Sequence, residues 1–180
     1  MRYFFILSAF LVLALAGCSG EGTFTTDVFS LSVTGSNADI TEGTFSKSVA
    51  LSKVLFKQAV DQATEEFKQV PSSFKVREAK IDLDPSQSSI SAYEQVFSDT
   101  LTFSLIPTNG SGVDVGEKNG LAGNEEFEVK ISAKPEDFSA DLTTFLNGDF
   151  SIGIRGATGG TNAANFNAFL TVMIQYEFFK

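Results

Sequence analysis

Residues 166–178 read Phe-Asn-Ala-Phe-Leu-Thr-Val-Met-Ile-Gln-Tyr-Glu-Phe (FNAFLTVMIQYEF). Phe166, Ala168, Leu170, Val172, Ile174, Tyr176 and Phe178 occupy alternate positions, and so do Asn167, Phe169, Thr171, Met173, Gln175, Glu177 and Phe179. A period of two places each set on its own face of a β-strand; a helix would group residues three and four apart. One face is wholly apolar and the other mixed, which predicts a central or near-central strand. Its expected partner is the strand over Phe150, Ile152 and Ile154, paired across the glycine-rich stretch Gly156–Asn165 (GATGGTNAAN).

Upstream segments repeat the pattern. Thr23–Val33 is rich in Thr, Val and Phe and reads as a strand with imperfect alternation. Thr34–Glu42 is a turn cluster and Thr44–Val49 another short strand. Val76–Leu83, Thr100–Ile106 and Phe127–Ser132 each alternate apolar with polar residues, and Asp137–Leu146 reads as a short helical turn or edge segment before Asn147-Gly148.

The period changes once, over Leu51–Val70. Leu51, Val54, Leu55, Ala59, Ala63, Phe67 and Val70 recur at steps of three and four, with Lys53, Lys57, Asp61, Glu65 and Lys68 mostly elsewhere. That is an amphipathic helix, stopped by Pro71. It either caps a core or offers a face to a partner or membrane; its mixed charges favour the cap. The expected fold is mainly β: a single antiparallel β-sandwich, jelly-roll-like, over residues 23–180, with one amphipathic helix near residues 51–70. An eight-stranded membrane barrel is the rival, but the helix and the uneven strand spacing oppose it.

The N-terminus has a different character. Arg2 precedes an apolar run from Tyr3 to Leu15. This run is shorter than the roughly 20 residues a membrane-spanning helix needs. It has the order of a secretory signal peptide: charge, apolar core, small residues. Its last four residues, Leu15-Ala16-Gly17-Cys18, resemble the lipobox of bacterial lipoproteins. The resemblance implies cleavage after residue 17, a diacylglyceryl group on the sulfur of Cys18 and, in many bacteria, acylation of its freed amino group. Two or three acyl chains give lasting attachment where one gives only marginal binding. Residues 18–22 would then be a short tether. The resemblance also implies a cell-envelope location, and Ser19 in place of Asp favours the outer membrane if the cell is Gram-negative.

Removal of residues 1–17 leaves 163 of the 180 residues, a length suited to one domain. Loss of Arg2 turns the formal net charge of −9 into −10. Such a chain repels nucleic acid and anionic headgroups, so no nucleic-acid partner is expected and the lipid must do the anchoring. Cys18 is the only cysteine, so no disulfide supports the domain, and its 19 Phe, most of them outside the leader, must supply the core. The chain has no His, which removes the commonest general base and metal ligand and any Ser-His-Asp triad.

Two acidic regions remain as candidate chemistry. Asp82, Asp84 and Ser86 end one strand, while Asp114, Glu117, Asn119, Asn124, Glu125 and Glu126 lie in a glycine-rich stretch (GVDVGEKNGLAGNEE) read as one loop. Oxygen ligands of this kind suit calcium, but the spacing is not that of an EF-hand, and solvated loop carboxylates are the plainer reading. No residue is assigned to a cofactor or a metal. The glycine-rich stretch 156–165 lacks the lysine of a phosphate-binding P-loop.

Three functions stay open. The first is a non-catalytic, membrane-anchored envelope lipoprotein with a structural or partner-binding role, its partners being the membrane and an envelope protein. The second is a carbohydrate- or lipid-binding module, calcium-assisted or not, which requires Tyr93 or Tyr176 exposed in a shallow groove, since Trp is absent. The third is a carboxylate-dependent hydrolase, which requires convergent carboxylates in a cleft.

Overall fold

A computed structural model describes residues 22–160 and 163–180; the leader and Cys18 lie outside them. The elements run β1 (Thr23–Thr25), β2 (Phe29–Ser36), β3 (Ile40–Thr41), β4 (Thr44–Ala50), α1 (Lys53–Phe67), β5 (Ser73–Leu83), β6 (Phe97–Pro107), β7 (Val113–Asn119), β8 (Phe127–Glu128), β9 (Lys130–Ile131), α2 (Leu142–Leu146), β10 (Phe150–Thr158) and β11 (Asn167–Phe179). Short 3₁₀ turns at Asn37–Asp39, Tyr93–Gln95 and Pro135–Asp141 join them.

All pairings are antiparallel and fall into two open sheets. The first has the order β1-β11-β5-β8, with β2 also paired to β11; the second has the order β3-β4-β10-β6-β7-β9. Setting aside the short β1, β3 and β9 leaves eight strands. Of these the first, eighth, third and sixth share one sheet, and the second, seventh, fourth and fifth share the other. This alternation is a hairpin ribbon wound around a barrel axis, the jelly roll.

β11 is the central strand its alternation predicts: β5 lies on one side, β1 and β2 on the other. Its even-numbered residues from Ala168 to Phe178 are buried. Its partner differs from expectation. β10 lies in the opposite sheet, between β4 and β6. Both strands carry an apolar face, and two such faces close a core when they oppose each other across the sandwich. The connection is also too well held elsewhere to turn back as a hairpin. Its first residues continue β10 as far as Thr158, and the amides of Gly159 and Gly160 then donate to the Val96 carbonyl at 3.1 and 3.2 Å.

Three further segments differ from the sequence reading. The first strand is interrupted at Thr26, which is buried and fills the gap. Its amide donates to the Tyr176 carbonyl (3.0 Å), and its Oγ1 accepts from the Tyr176 amide (3.0 Å). The segment Phe127–Ser132 is not one strand but a crossing: β8 pairs with β5 in one sheet and β9 with β7 in the other, with buried Val129 between. Residues 113–119, read as loop, are the strand β7.

The helix has the expected period but a rotated face. Its buried residues are Phe56, Ala59, Val60, Ala63 and Phe67, whereas Val54 (67%) and Leu55 (53%) are exposed. Ser52 caps it, its Oγ accepting from the Leu55 amide, and Lys68 closes it in the left-handed conformation. The rotation brings Phe56 and Val60 inward in place of Val54 and Leu55, while Ala59, Ala63 and Phe67 are buried as expected. The Phe56 ring packs edge-on against Phe150 (5.0 Å between centroids) and Tyr176 (4.9 Å), with Phe178 at 5.8 Å and Phe74 at 6.3 Å. Phe138 and Phe145, from the segment before β10, extend the cluster onto Phe74.

Phe56→Ala is expected to cost about 3–5 kcal/mol, while Val54→Ala, on the solvent side of the same turn, stays within about 0.5 kcal/mol. Urea unfolding of both variants checks the helix phase. A reversed order would assign the apolar face to Val54 and Leu55. Ile174→Asp, which places a charge at a fully buried position of β11, is expected to abolish folding or cost more than any surface change in the same assay.

Candidate functional site

The acidic positions singled out in the sequence are not brought together. Asp114 and Glu117 stand on β7, on the outer face of the second sheet. Val-Asp-Val-Gly-Glu is an alternating strand pattern that glycine disguises. Gly116 itself is required by contact: a Cβ there would lie 2.4 Å from the Lys130 carbonyl oxygen. Asp114 accepts from Ser104 Oγ (3.0 Å) and from Arg155 Nη2 (3.2 Å); Glu117 accepts from Asn119 Nδ2 (3.1 Å). Glu126 is 3.6 Å from Lys80 Nζ, and Glu125 is exposed in the separate loop after β7. Asp84 organises its own turn, accepting from the Ser86 amide and Oγ and from Gln87 Nε2, and hydrogen bonds from the Ser86 and Gln87 side chains hold its carboxyl below the usual value. Among the described residues no group of three or more carboxylates is placed to hold a metal ion.

The two tyrosines required for a sugar-stacking surface lie inside. Tyr93 packs on Phe127 (4.9 Å) and donates from its hydroxyl to the Ile81 carbonyl (3.3 Å). Tyr176 is wholly buried among Phe29, Phe56, Phe74 and Phe150, and its hydroxyl meets no hydrogen-bond partner among the described residues. Burial raises the pKa of both phenols well above the ordinary value.

Two surface features remain. One is a shallow polar depression on the outer face of the second sheet, lined by Thr44, Ser98, Asp99, Thr100, Thr102 and Arg155. Hydroxyls dominate it and no aromatic ring lines it.

The other is a groove of about 580 Å³ between β2, the end of β4 and α1. It exists because β2 and β4 are successive strands in opposite sheets, and α1 closes only part of the gap. Phe29 supports it from within, its ring against Phe56 (6.2 Å) and Tyr176 (5.6 Å). Val28, Leu31, Val49, Leu51 and Leu55 supply its apolar lining, and Asp27, Ser30, Ser52, Gln58 and Gln62 its polar lining. The sequence hid this site because its walls come from three separate segments. The signal that could have found it is Leu55, an apolar residue adjacent to, not part of, the set that fits Phe56.

No protein-family model matches the chain, and no curated protein matches it significantly. Among solved structures, the chain is similar to the decameric BFDV capsid protein, with a TM-score of 0.41 and 9% identity over 87% of this chain and 99% of that one. It is also similar to the Cocksfoot mottle virus structure, with a TM-score of 0.33 and 12% identity over 99% and 95% of the two chains. Likenesses of this size carry no functional argument; the jelly-roll assignment rests on the strand order.

The buried phenols make alkaline titration informative. A phenol whose pKa is raised on folding lends stability that is fully present below its unfolded value of about 10. That stability is lost as pH rises above it. Phenolate absorbance of the folded domain is therefore expected to appear only together with unfolding, and a separate transition near pH 10 would place a tyrosine at the surface. Tyr176→Phe removes an unpartnered hydroxyl and is expected to leave stability unchanged or to raise it by about 1 kcal/mol, read from urea unfolding.

Proposed function

We propose that the protein is a non-catalytic, lipid-anchored envelope lipoprotein whose jelly-roll domain has a structural or partner-binding role. The observation that carries this reading is positional: the lipobox cysteine, Cys18, stands four residues before Gly22, whose carbonyl accepts from the Lys180 amide of the folded domain. Cleavage before Cys18 would leave every strand of the sandwich intact. It would put the acyl chains directly beside the domain, and the outer membrane is the favoured site in a Gram-negative cell.

Two features favour this over the alternatives. Tyr93 and Tyr176 are buried, which removes the stacking surface that a carbohydrate-binding module would need. The carboxylates that a hydrolase would use are dispersed over β7 and the loops, and several are engaged by Lys, Arg or Ser partners.

Replacing Cys18 by Ala is expected to abolish incorporation of a palmitate analogue and to shift the protein from the membrane fraction to uncleaved or soluble forms. Metabolic labelling with fractionation reads both. Label retained by Cys18→Ala would overturn the anchor assignment.

A further inference from the structure

We propose that the edge of the sandwich formed by β1, β2 and the first turn of α1 lies against the phospholipid bilayer; the inference rests on the lipid anchor at Cys18 proposed above. Among the described residues four large apolar side chains are strongly exposed, and two of them, Val28 (55%) and Leu55 (53%), lie on this edge; Val54 (67%) is on the first turn of α1, and Val70 (61%) follows the helix. Val28 and Leu55 both line the groove, Val28 from just before β2 and Leu55 from α1, beside the carboxylate of Asp27.

The anchor reaches the same edge. β1 and β2 run along one side of β11, and Gly22 begins that line, its carbonyl accepting from the Lys180 amide at 2.8 Å. Six residues of extended chain place Val28 roughly 20 Å from Gly22. The four residue steps from Cys18 to Gly22 span at most about 14 Å. A lipid on Cys18 therefore holds Gly22 close to the headgroups, and the apolar patch lies within a short tilt of the surface.

Carboxylates lie at both ends of the sandwich. Asp39, Glu42, Asp84, Glu94, Asp99 and Glu125 occupy loops and strand ends at the opposite end of the sandwich, in a protein whose net charge is strongly negative. On the patch side, Lys53 is paired with Asp149 (2.5 Å) and Lys57 with Asp61, while Asp27 lines the groove beside Val28 and Glu65 and Glu66 are exposed on α1. The contact itself is apolar, of the kind by which amphipathic surfaces enter the interface. It can be weak, because the anchor makes the second contact intramolecular and raises the effective concentration.

The chain contains no Trp, so a single introduced Trp reports its surroundings without background. Full-length protein carrying Leu55→Trp, Val28→Trp or, at the opposite end, Ser98→Trp would be purified from membranes, its Cys18 lipidation established by mass, and reconstituted into vesicles of zwitterionic phospholipid with or without brominated acyl chains. The expected result is a blue shift and bromine quenching in the Leu55→Trp and Val28→Trp proteins, with the Ser98→Trp emission unchanged. Lipidated protein with equal or absent quenching at the two ends overturns the docking while leaving the anchor intact. A blue shift that needs no lipid and grows with protein concentration assigns the patch to a second copy and likewise overturns the proposal. Protein that carries no lipid on Cys18 removes the anchor reading and this inference with it.

Discussion

Phe56 is the point on which the sandwich closes. It comes from the helix, yet its ring touches residues of both sheets: Phe74, Tyr176 and Phe178 from one and Phe150 from the other. Two open sheets need something to seal the end at which their strands diverge. Here a helix inserted between the second and third of the eight ribbon strands supplies the Phe56 ring, with Phe67 buried at the helix's far end. Edge-to-face contacts of this kind add about 0.5–1.5 kcal/mol each beyond area burial, and without a disulfide such packing must hold the domain.

The same constraint explains the polar features nearby. Helix orientation is fixed by the ring, so Leu55 and Val54 are turned outward and the gap between β2 and β4 is left as a groove. Thr26 gives the edge strand its break without stranding a buried amide: its backbone and hydroxyl pair with Tyr176, and Gln175 Nε2 donates to its carbonyl at 2.8 Å. Tyr176 carries a different cost, with a hydroxyl enclosed by rings. The core is thus built by aromatic volume first, and among the described residues one buried side-chain polar atom is left without a partner inside it.

The two ends of the domain differ in chemistry. One joins Gly22, Ser72 and Lys180 through short backbone and hydroxyl hydrogen bonds and carries the helix and groove. The other presents loops whose carboxylates mostly serve local geometry, as Asp84 does for its turn and Glu94 Oε2 does by accepting from the Gly123 amide at 2.8 Å.

Strand identity was legible wherever alternation was strict: residues 166–178 marked a buried central strand, and the jelly-roll-like sandwich followed from the number and spacing of such segments. The helix was legible by its period, and the absence of His and of a second Cys excluded whole classes of chemistry. Pairing was not legible. An apolar face specifies that a strand meets a core, not from which side, so β10 and β11 were expected together and lie across from each other. The phase of α1 and the crossing at Val129 depend on which side chain best fills a cavity built by distant strands. The groove has no sequence signature for the same reason: local pattern determines which residues can be buried, and only the packing of all segments decides which apolar residues are left outside.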